Sequence, residues 1–373
     1  MNEDYGKVSI IIPVYNGQNT IGRTLSMILQ SSYTNIEIIV VNDGSSDNSI
    51  DVCKKFQKED NRIFVYTKDN GGVASARNYG VEHSTGKYLC FCDQDDYVER
   101  DMYLEMIKKI SQDNSEICMC STGRMIDGKK SSFEILTDAT YREKEIREEI
   151  LYPMLFKGYN VPVKMTRRAI YPCIWNCMFD RDFFETNELK FRVYVNYEDD
   201  LLLKNEALSR AKKVSTVSYE GYYWCVNLKS ETYANRFVEN IGEKQQLCYD
   251  DMEKCLRRCT EDEVVLRMFK AVTMCKQYLD AVHVLASTEK KKNYRFIKQF
   301  YKEQIFDREF GECIVAREYV AKGQVRALVL LPILSCKCPL LIYFSEKLLS
   351  RILWISLHSQ VLTSLERKIK ESR

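Results

Sequence analysis

The sequence predicts an α/β fold, a mostly parallel twisted sheet flanked by helices, followed by a helical C-terminal region. Short runs rich in valine and isoleucine alternate with segments of helical periodicity over the first hundred residues, which is typical of βαβ units. These runs are almost continuously apolar, which indicates strands covered on both faces. At 373 residues the chain is long enough for two domains.

Five apolar runs are predicted as strands, and apolar residues recur at helical spacing between the first three. The strands are residues 8–14, 36–41, 63–66, 88–92 and 117–121, and the two intervening helices are residues 20–30 and 49–59. Farther along, residues 125–130 predict a turn and residues 142–156 a charged helix. A shift in composition near residue 235 predicts a boundary between residues 1–234 and a helical region of residues 235–373.

The end of the chain is basic and partly apolar. Residues 291–373 contain 16 basic and 8 acidic residues. Residues 327–345 are strongly apolar but marginal for crossing a bilayer, because they contain Lys337 and two prolines. Residues 348–365 have the pattern of a helix that lies in a lipid interface. A small helical domain packed on the core explains these segments equally well.

Composition narrows the functional classes. With 55 basic against 53 acidic residues, the chain lacks the excess of positive charge expected of a nucleic-acid partner. The fifteen cysteines are odd in number and follow a polar start without a signal-peptide pattern, so we expect reduced thiols in the cytoplasm. Cys90, Cys92, Cys118 and Cys120 are predicted to be small buried hydrophobes. The three histidines are far apart, so a catalytic metal should be a hard ion held by oxygen.

Polar clusters follow the strands, and in open α/β sheets such clusters meet at one crevice. The strongest is Asp93-Gln94-Asp95-Asp96, whose carboxylates suit Mg²⁺ or Mn²⁺ and therefore a substrate with phosphate. The second begins at Asp43, where a carboxylate can accept hydrogen bonds from a base or ribose. Each cluster, taken alone, is equally well explained as a helix cap. No Gly-x-Gly-x-x-Gly follows the first strand, which disfavours a dinucleotide site.

Five segments in order resemble the family-2 glycosyltransferases. They are VSIIIPVYN (8–16), IEIIVVNDGSSD (36–47), NGGVASARNYG (70–80), GKYLCFCDQDDY (86–97) and YEDDLL (197–202). The resemblance covers about residues 6–235 and implies an inverting enzyme with a GT-A fold that uses nucleotide-diphosphate sugars, commonly in bacterial polysaccharide assembly. It also divides the first domain into a nucleotide-sugar half of about residues 1–122 and an acceptor half of about residues 123–234.

Several site residues follow from this resemblance on the donor side. It implies that Pro13, Tyr15 and Asn16 border the nucleotide, that Asp43 binds the base, that Asp93 faces the ribose and donor sugar, and that Asp95 binds Mg²⁺ or Mn²⁺ with support from Asp96. Arg77 is expected to fix the nucleotide or the acidic loop around it. A purely structural ion pair is the alternative for Arg77, because a buried arginine usually needs a carboxylate partner.

On the acceptor side, the resemblance implies that Asp199 is the catalytic base, with Glu198 beside it. The base would take the proton of an acceptor hydroxyl as that oxygen attacks the anomeric carbon opposite the diphosphate. Trp175 is expected near the acceptor, although a core tryptophan is as good an explanation. Two positions depart from the family pattern: Cys177 replaces the usual lysine, and Ser230 lacks the glycine that usually precedes it.

The predicted function is therefore transfer of a sugar, from a donor expected to be UDP-linked, to a glycan or lipid-linked oligosaccharide. Peripheral contact with an anionic membrane, on the inner face of the cell membrane, is the expected location of this activity. A sugar-1-phosphate nucleotidyltransferase is an alternative, but it needs a glycine-rich basic loop where Tyr15-Asn16-Gly17 stands. A non-catalytic nucleotide-sugar or glycan-binding module is the other alternative, suggested by the departures at Cys177 and Ser230.

Overall fold

The structure, a computed structural model, describes residues 4–126, 128–194, 199–225 and 241–287, together with residues 340, 341, 344, 345, 348 and 349. These residues fall into two compact units. The first unit is formed by described residues up to 157, by residues 164–225 and by residues 250–261. The second is formed by residues 158–163, by residues 241–249 and by the described residues from 262 onward.

The first unit is built on one sheet whose ten strands are recognised among the described residues. They are β1 (Val8–Val14), β2 (Ile36–Asp43), β3 (Ile63–Lys68), β4 (Tyr88–Phe91), β5 (Tyr97–Val98), β6 (Ile117–Ile126), β7 (Lys129–Glu134), β8 (Ala139–Arg142), β9 (Cys177–Asp180) and β10 (Lys213–Cys225). The main order is β3-β2-β1-β4-β9-β6-β10-β5, with β7 paired to β6 and β8 paired to β10.

Helices flank this sheet. They are α1 (Ile21–Leu29), α2 (Ser49–Glu59), α3 (Val73–Glu82), α4 (Met102–Asp113), α5 (Glu143–Ile146), a π-helical turn (Arg147–Leu151), α6 (Tyr152–Leu155), α7 (Arg181–Thr186) and α8 (Asp199–Arg210). Two longer helices follow, α9 (Ile241–Cys259) and α10 (Glu263–Ser287). The predicted helix over residues 142–156 is therefore present, but a π-helical turn interrupts its middle.

The predicted α/β class is confirmed, and the parallel arrangement is concentrated in the first half of the sheet. Strands β3, β2, β1 and β4 are parallel neighbours, as the βαβ pattern predicts. Beyond them β9 runs antiparallel to both β4 and β6, whereas β10 is parallel to β6. β9 was not predicted, because four residues are too few to show a period. β10 was not predicted either, because its less buried residues, such as Lys213, Ser218 and Glu220, are polar.

Both faces of the parallel strands β1, β2 and β4 are covered, which explains their continuous apolar character, whereas the edge strand β3 is partly exposed. All seven residues of β1 are buried. Ile10 and Ile12 pack in the core cluster with residues of α1 and α4. On the opposite face, α3 approaches so closely that a Cβ added at Gly80 would lie 2.4 Å from Ile11 Cγ2. The small residue at position 80 therefore sets how deeply α3 sits on the sheet.

Four cysteines were predicted to be small buried hydrophobes, and their burial is confirmed. Cys90, Cys92, Cys118 and Cys120 are free thiols inside the core of the first unit. Burial raises the pKa of each of these thiols above its ordinary value. They therefore act as small apolar side chains and not as nucleophiles.

Apart from residues 158–163, the described part of the second unit is mainly helical. Phe269, Val272 and Cys275 of α10 are buried, and the ring of Tyr249 stacks on Phe269 at 5.6 Å between centroids. The boundary predicted at residue 235 and nearly all of the apolar segments predicted at 327–345 and 348–365 lie outside the described residues. Among the helices that are described, none has the length and apolar character needed to cross a membrane.

Candidate active site

Hydrogen bonds join the loops that follow β1 and β2. Asn16, which has a φ of 48°, donates its N–H to Ser45 Oγ at 3.1 Å, and its Oδ1 accepts from the Ser46 N–H at 2.9 Å. Pro13 is buried within β1, whereas the Tyr15 side chain is 43% exposed. The predicted nucleotide-border residues therefore lie at the end of β1 and on the braced loop that follows it, with one aromatic ring facing solvent.

Asp43 ends β2 as a buried carboxylate with several partners. It accepts from Lys68 Nζ at 2.7 Å, from the Gly71 N–H at 3.0 Å and from the Gly72 N–H at 2.8 Å. These bonds hold the loop that leads directly into α3. The structure thus gives Asp43 a role in shaping the loop, and its contact with a nucleobase stays a prediction.

Arg77 of α3 is the centre of the site. Its side chain is only 5% exposed, yet its guanidinium contacts three carboxylates. Nη2 donates to Asp93 at 2.9 Å, and Nη1 donates to both Asp199 and Asp200 at 2.7 Å. One side chain therefore joins the acidic loop after β4 to the start of α8, more than a hundred residues away in sequence.

The two aspartates at the start of α8 differ in surroundings. The Asp199 side chain is 8% exposed and that of Asp200 is 24% exposed. Burial and the neighbouring Asp199 carboxylate raise the pKa of Asp200 to about 7, although Arg77 acts in the opposite direction. The pair therefore contains a carboxyl group that changes charge near neutral pH. Glu198, the third predicted acidic residue, lies outside the described residues.

Asp96 is an internal anchor of the acidic loop. It is 1% exposed, and its two oxygens accept from Tyr222 Oη and from the Cys225 N–H, both at 2.7 Å. Tyr222 Oη in turn accepts from the Asp93 N–H at 3.0 Å. Burial, with the nearby Asp93 charge, raises the pKa of Asp96 well above its usual range. Asp96 therefore anchors the loop through Tyr222, a structural partner that the sequence did not indicate, and its support of metal binding by Asp95 stays a prediction.

Asp95 has the surroundings that suit a bound cation. Burial and, next, the neighbouring Asp93 carboxylate raise its pKa to about 6. No described residue forms a salt bridge with Asp95. In the part of the chain that the structure describes, no three histidine, cysteine or acidic side chains are grouped to hold an ion by themselves. This donor set fits Mg²⁺ or Mn²⁺, since such ions are often held by one or two carboxylates together with water and substrate phosphate.

Trp175 lies against Tyr222, with 4.3 Å between ring centroids and 15° between ring planes. It is 7% exposed, so most of its surface belongs to the core. Through Tyr222 it nevertheless touches the group that anchors the acidic loop. Trp175 is therefore placed beside the site, with only its margin available to a ligand.

A buried lysine lies beside Cys177, the position where the family usually has lysine. Lys204, which is 1% exposed on α8, contacts the buried Cys177 thiol. Its Nζ donates to the carbonyls of Tyr171 and Cys173, both at 2.9 Å, and lies 3.4 Å from Asn176 Oδ1. The side chain thus ties α8 to the loop that carries Trp175. A lone lysine between Leu203 and Ala207 was the available signal, and the sequence analysis did not use it.

The mixed sheet, with acidic loops at the ends of β2 and β4 and a further acidic pair at the start of α8, defines a protein of the GT-A class. In agreement, the structure superposes on TarS residues 1–349 of S. aureus, solved with UDP-GlcNAc, with a TM-score of 0.59, 16% identity and 92% coverage of each chain. At that identity the likeness establishes the fold.

Sequence comparison points to a family for the part of the chain that carries the site. Residues 9–175 match the family model described as Glycosyl transferase family 2. It is 38% identical over 141 residues to the glycosyltransferase GlyA of Streptococcus pneumoniae, covering 37% of this chain and 20% of that protein. It is 28% identical over 237 residues to EpsH of Bacillus subtilis, covering 62% of this chain and 65% of that protein. The chain therefore spans less than two thirds of each of these relatives.

Proposed function

We propose that this protein is an inverting, divalent-metal-dependent glycosyltransferase that moves a sugar from a nucleotide-diphosphate donor to a glycan hydroxyl, with Asp199 as general base. The observation that supports this most is the contact of one buried guanidinium, that of Arg77, with both Asp93 and the Asp199–Asp200 pair. A site that transfers a group directly needs its donor side and its proton acceptor held at a fixed separation. Arg77 supports such a fixed separation, because its guanidinium binds Asp93 on one side and Asp199 on the other.

On the donor side, each residue has a separate task in this proposal. Tyr15 and Asn16 border the nucleotide, Asp43 is the candidate partner of the base, and Asp93 faces the ribose and the sugar. UDP is the favoured nucleotide, and TarS, which shares the fold, was solved in complex with UDP. Asp95 would hold Mg²⁺ or Mn²⁺, which when bound neutralises the charge that develops on the diphosphate leaving group.

On the acceptor side, Asp199 takes the proton of the attacking hydroxyl as the new bond forms on the face opposite the diphosphate. A single displacement inverts the configuration at the anomeric carbon. Asp200 shares Arg77 with Asp199, and burial raises the pKa of Asp200 to about 7. A carboxyl group beside the base that ionises near neutral pH makes transfer depend on pH in that range.

The test is a panel of nucleotide sugars with Mn²⁺, in which each is scored for donor turnover and for the rise in melting temperature that a ligand of the folded state produces. With an active donor, Asp199→Asn should lose transfer by at least about 100-fold, the usual scale of a general base, while UDP still raises the melting temperature. Asp51→Asn, an exposed change on α2, is the matched control.

Two results would contradict the proposal. Unchanged transfer by Asp199→Asn would remove the assigned base. Binding of nucleotide sugars without turnover, with any acceptor tried, would instead favour the non-catalytic binding module.

We also propose that the acceptor is a lipid-linked oligosaccharide approached at an anionic membrane surface, with the sugar being a hexose or an N-acetylhexosamine. Support comes from the basic C-terminal composition and from the family. Partition of the protein with anionic vesicles, with and without residues 322–373, tests the membrane part. Equal partition of the two forms would remove it.

A further inference from the structure

A row of aromatic rings, which we call the aromatic strip, begins at the acidic loop. Its inner part is the stacked pair Trp175 and Tyr222 described above. Its outer part is formed by three rings, Trp224, Phe133 and Tyr171. Phe133 lies 6.3 Å from Trp224 and 3.7 Å from Tyr171, measured between ring centroids.

Strand register places the strip on the side of the sheet that carries the site. Tyr222 and Trp224 are two residues apart in β10, so their side chains project from the same face. Tyr222 binds Asp96 from that face, and the residue after Trp224, Cys225, donates its N–H to the same carboxylate. The outer rings therefore continue directly from the acidic loop.

Exposure separates the two parts of the strip. Tyr222 is fully buried and Trp175 nearly so, as expected for core packing. The three outer rings are all partly exposed instead. Partly exposed aromatic rings in a continuous row next to a catalytic centre are typical of a ligand-binding surface.

Two cationic side chains contact the outer rings, and the buried Glu134 carboxylate accepts from the Tyr171 N–H and faces Lys157. Arg124 of β6, opposite Trp224 in register, has its guanidinium carbon 3.8 Å from the Phe133 centroid and 5.7 Å from that of Trp224. Within the described part of the chain, Arg124 forms no salt bridge and its buried Nε has no hydrogen-bond partner. Lys157 Nζ lies 3.0 Å from the centroid of the Tyr171 ring. Arg124 is half-buried, and its positive charge lies beside the rings without a salt bridge to any described carboxylate.

We propose that Phe133, Tyr171 and Trp224, with Arg124, form an acceptor subsite for a saccharide that carries a negative charge. The apolar C–H face of a sugar ring packs against the aromatic faces, and a carboxylate or phosphate on that sugar pairs with Arg124. The inference rests on the proposed glycosyl transfer and deepens it, because it names the chemical class of the acceptor. It goes beyond Trp175, which is too buried to provide the platform.

The test uses three sugars that differ at carbon 6: glucose, glucuronic acid and glucose 6-phosphate. Saturation-transfer NMR on the full chain with UDP gives their affinities, and the two acids separate carboxylate from phosphate recognition. Trp224→Leu keeps apolar volume but removes the ring, and Arg124→Gln removes the charge. Phe64→Leu, on a 39% exposed ring of β3 outside the strip, is the matched control.

We expect at least one of the two acids to bind about tenfold more tightly than glucose, the change that a desolvated ion pair commonly produces. Arg124→Gln should abolish that preference, Trp224→Leu should weaken all binding about tenfold, and Phe64→Leu should bind as the wild type does. A rise in melting temperature with UDP shows that each variant is folded. If Trp224→Leu shows no such rise, Phe133→Leu takes its place.

Either of two results would overturn the subsite: binding of none of the sugars by the wild type, or wild-type binding by both strip variants. Donor turnover measured in parallel separates this from the proposed function. If the charged sugars bind through the strip but no donor is turned over, the subsite stands and the transferase proposal fails. If transfer occurs and the strip variants leave sugar binding unchanged, the transferase proposal stands and the subsite fails.

Discussion

Replacing Arg77 with methionine should strongly destabilise the first unit. The substitution keeps much of the apolar stem but leaves Asp93, Asp199 and Asp200 without their shared cation, and the Asp199 and Arg77 side chains are less than a tenth exposed. Removing one partner of a buried ion pair costs about 3–5 kcal/mol, since the other charge stays buried and unpaired. At about 2–4 °C per kcal/mol for a domain of this size, the melting temperature should fall by about 6–20 °C.

This loss should depend on pH in a defined direction. The pKa of Asp200 already lies at about 7, above its ordinary value of 3.8, and removal of the guanidinium should raise it further. A carboxyl group whose pKa is raised in the folded state binds protons that the unfolded chain does not bind, so stability falls as pH rises toward the folded-state pKa. The gap between wild type and variant should therefore be large at about pH 8 and smaller at about pH 5.

The assay is thermal unfolding followed by circular dichroism at both pH values. Arg62→Met is the control, because Arg62 pairs with Asp60 at the surface, where the two side chains are 25% and 23% exposed. Such a pair contributes about 0–1 kcal/mol. A loss at position 77 no greater than that of the control, or a loss equal at both pH values, would refute the assignment of Arg77 as the buried counter-ion of the site.

Three further results are expected. Lys204→Met should lower the free energy of unfolding by about 1–3 kcal/mol in a denaturant titration, because buried carbonyls lose their donor; no change would show that these bonds are replaced. Gly80→Ala should lower the free energy of unfolding by about 1–3 kcal/mol, because the added Cβ overpacks against Ile11. Gly22→Ala is the control, since its added Cβ meets only ordinary contacts, and equal effects of the two changes would contradict the close approach of α3. In the wild type, transfer should rise with pH through about 7, and Asp200→Asn should remove that step because the group whose pKa is near 7 is absent; a persisting step would place the titration elsewhere.

The parallel half of the sheet was predictable from sequence because its strands β1, β2 and β4 are covered on both sides. β1 has the predicted bounds of residues 8–14, and α2 has those of residues 49–59. Burial of both faces requires continuous apolar runs, and such runs are visible without any knowledge of contacts. The later strands are short, half polar or joined by turns, so their positions depend on partners that local sequence does not reveal.

The site, too, was predictable only in part. The acidic clusters after β2 and β4 and before α8 are visible in sequence, because they are short motifs that occur in the order typical of the family. The pairing of Arg77 with residues 16, 122 and 123 positions away is not visible, because sequence separation carries no information on which charges share a buried space. The same limit applies to Lys204, which supplies beside Cys177 the cation that the motif itself lacks.

The fold class, the resemblance to a family and the chemical type of the residues near the site can therefore be inferred from the amino-acid sequence alone. Apolar periodicity and motif order are local properties of the chain, and they are visible without coordinates. The three-dimensional structure was needed to show which carboxylates share Arg77, which aspartate is an anchor and which aromatic rings lie beside the acidic loop. Those outcomes depend on burial and on distances of a few ångströms, which arise only when distant segments pack together.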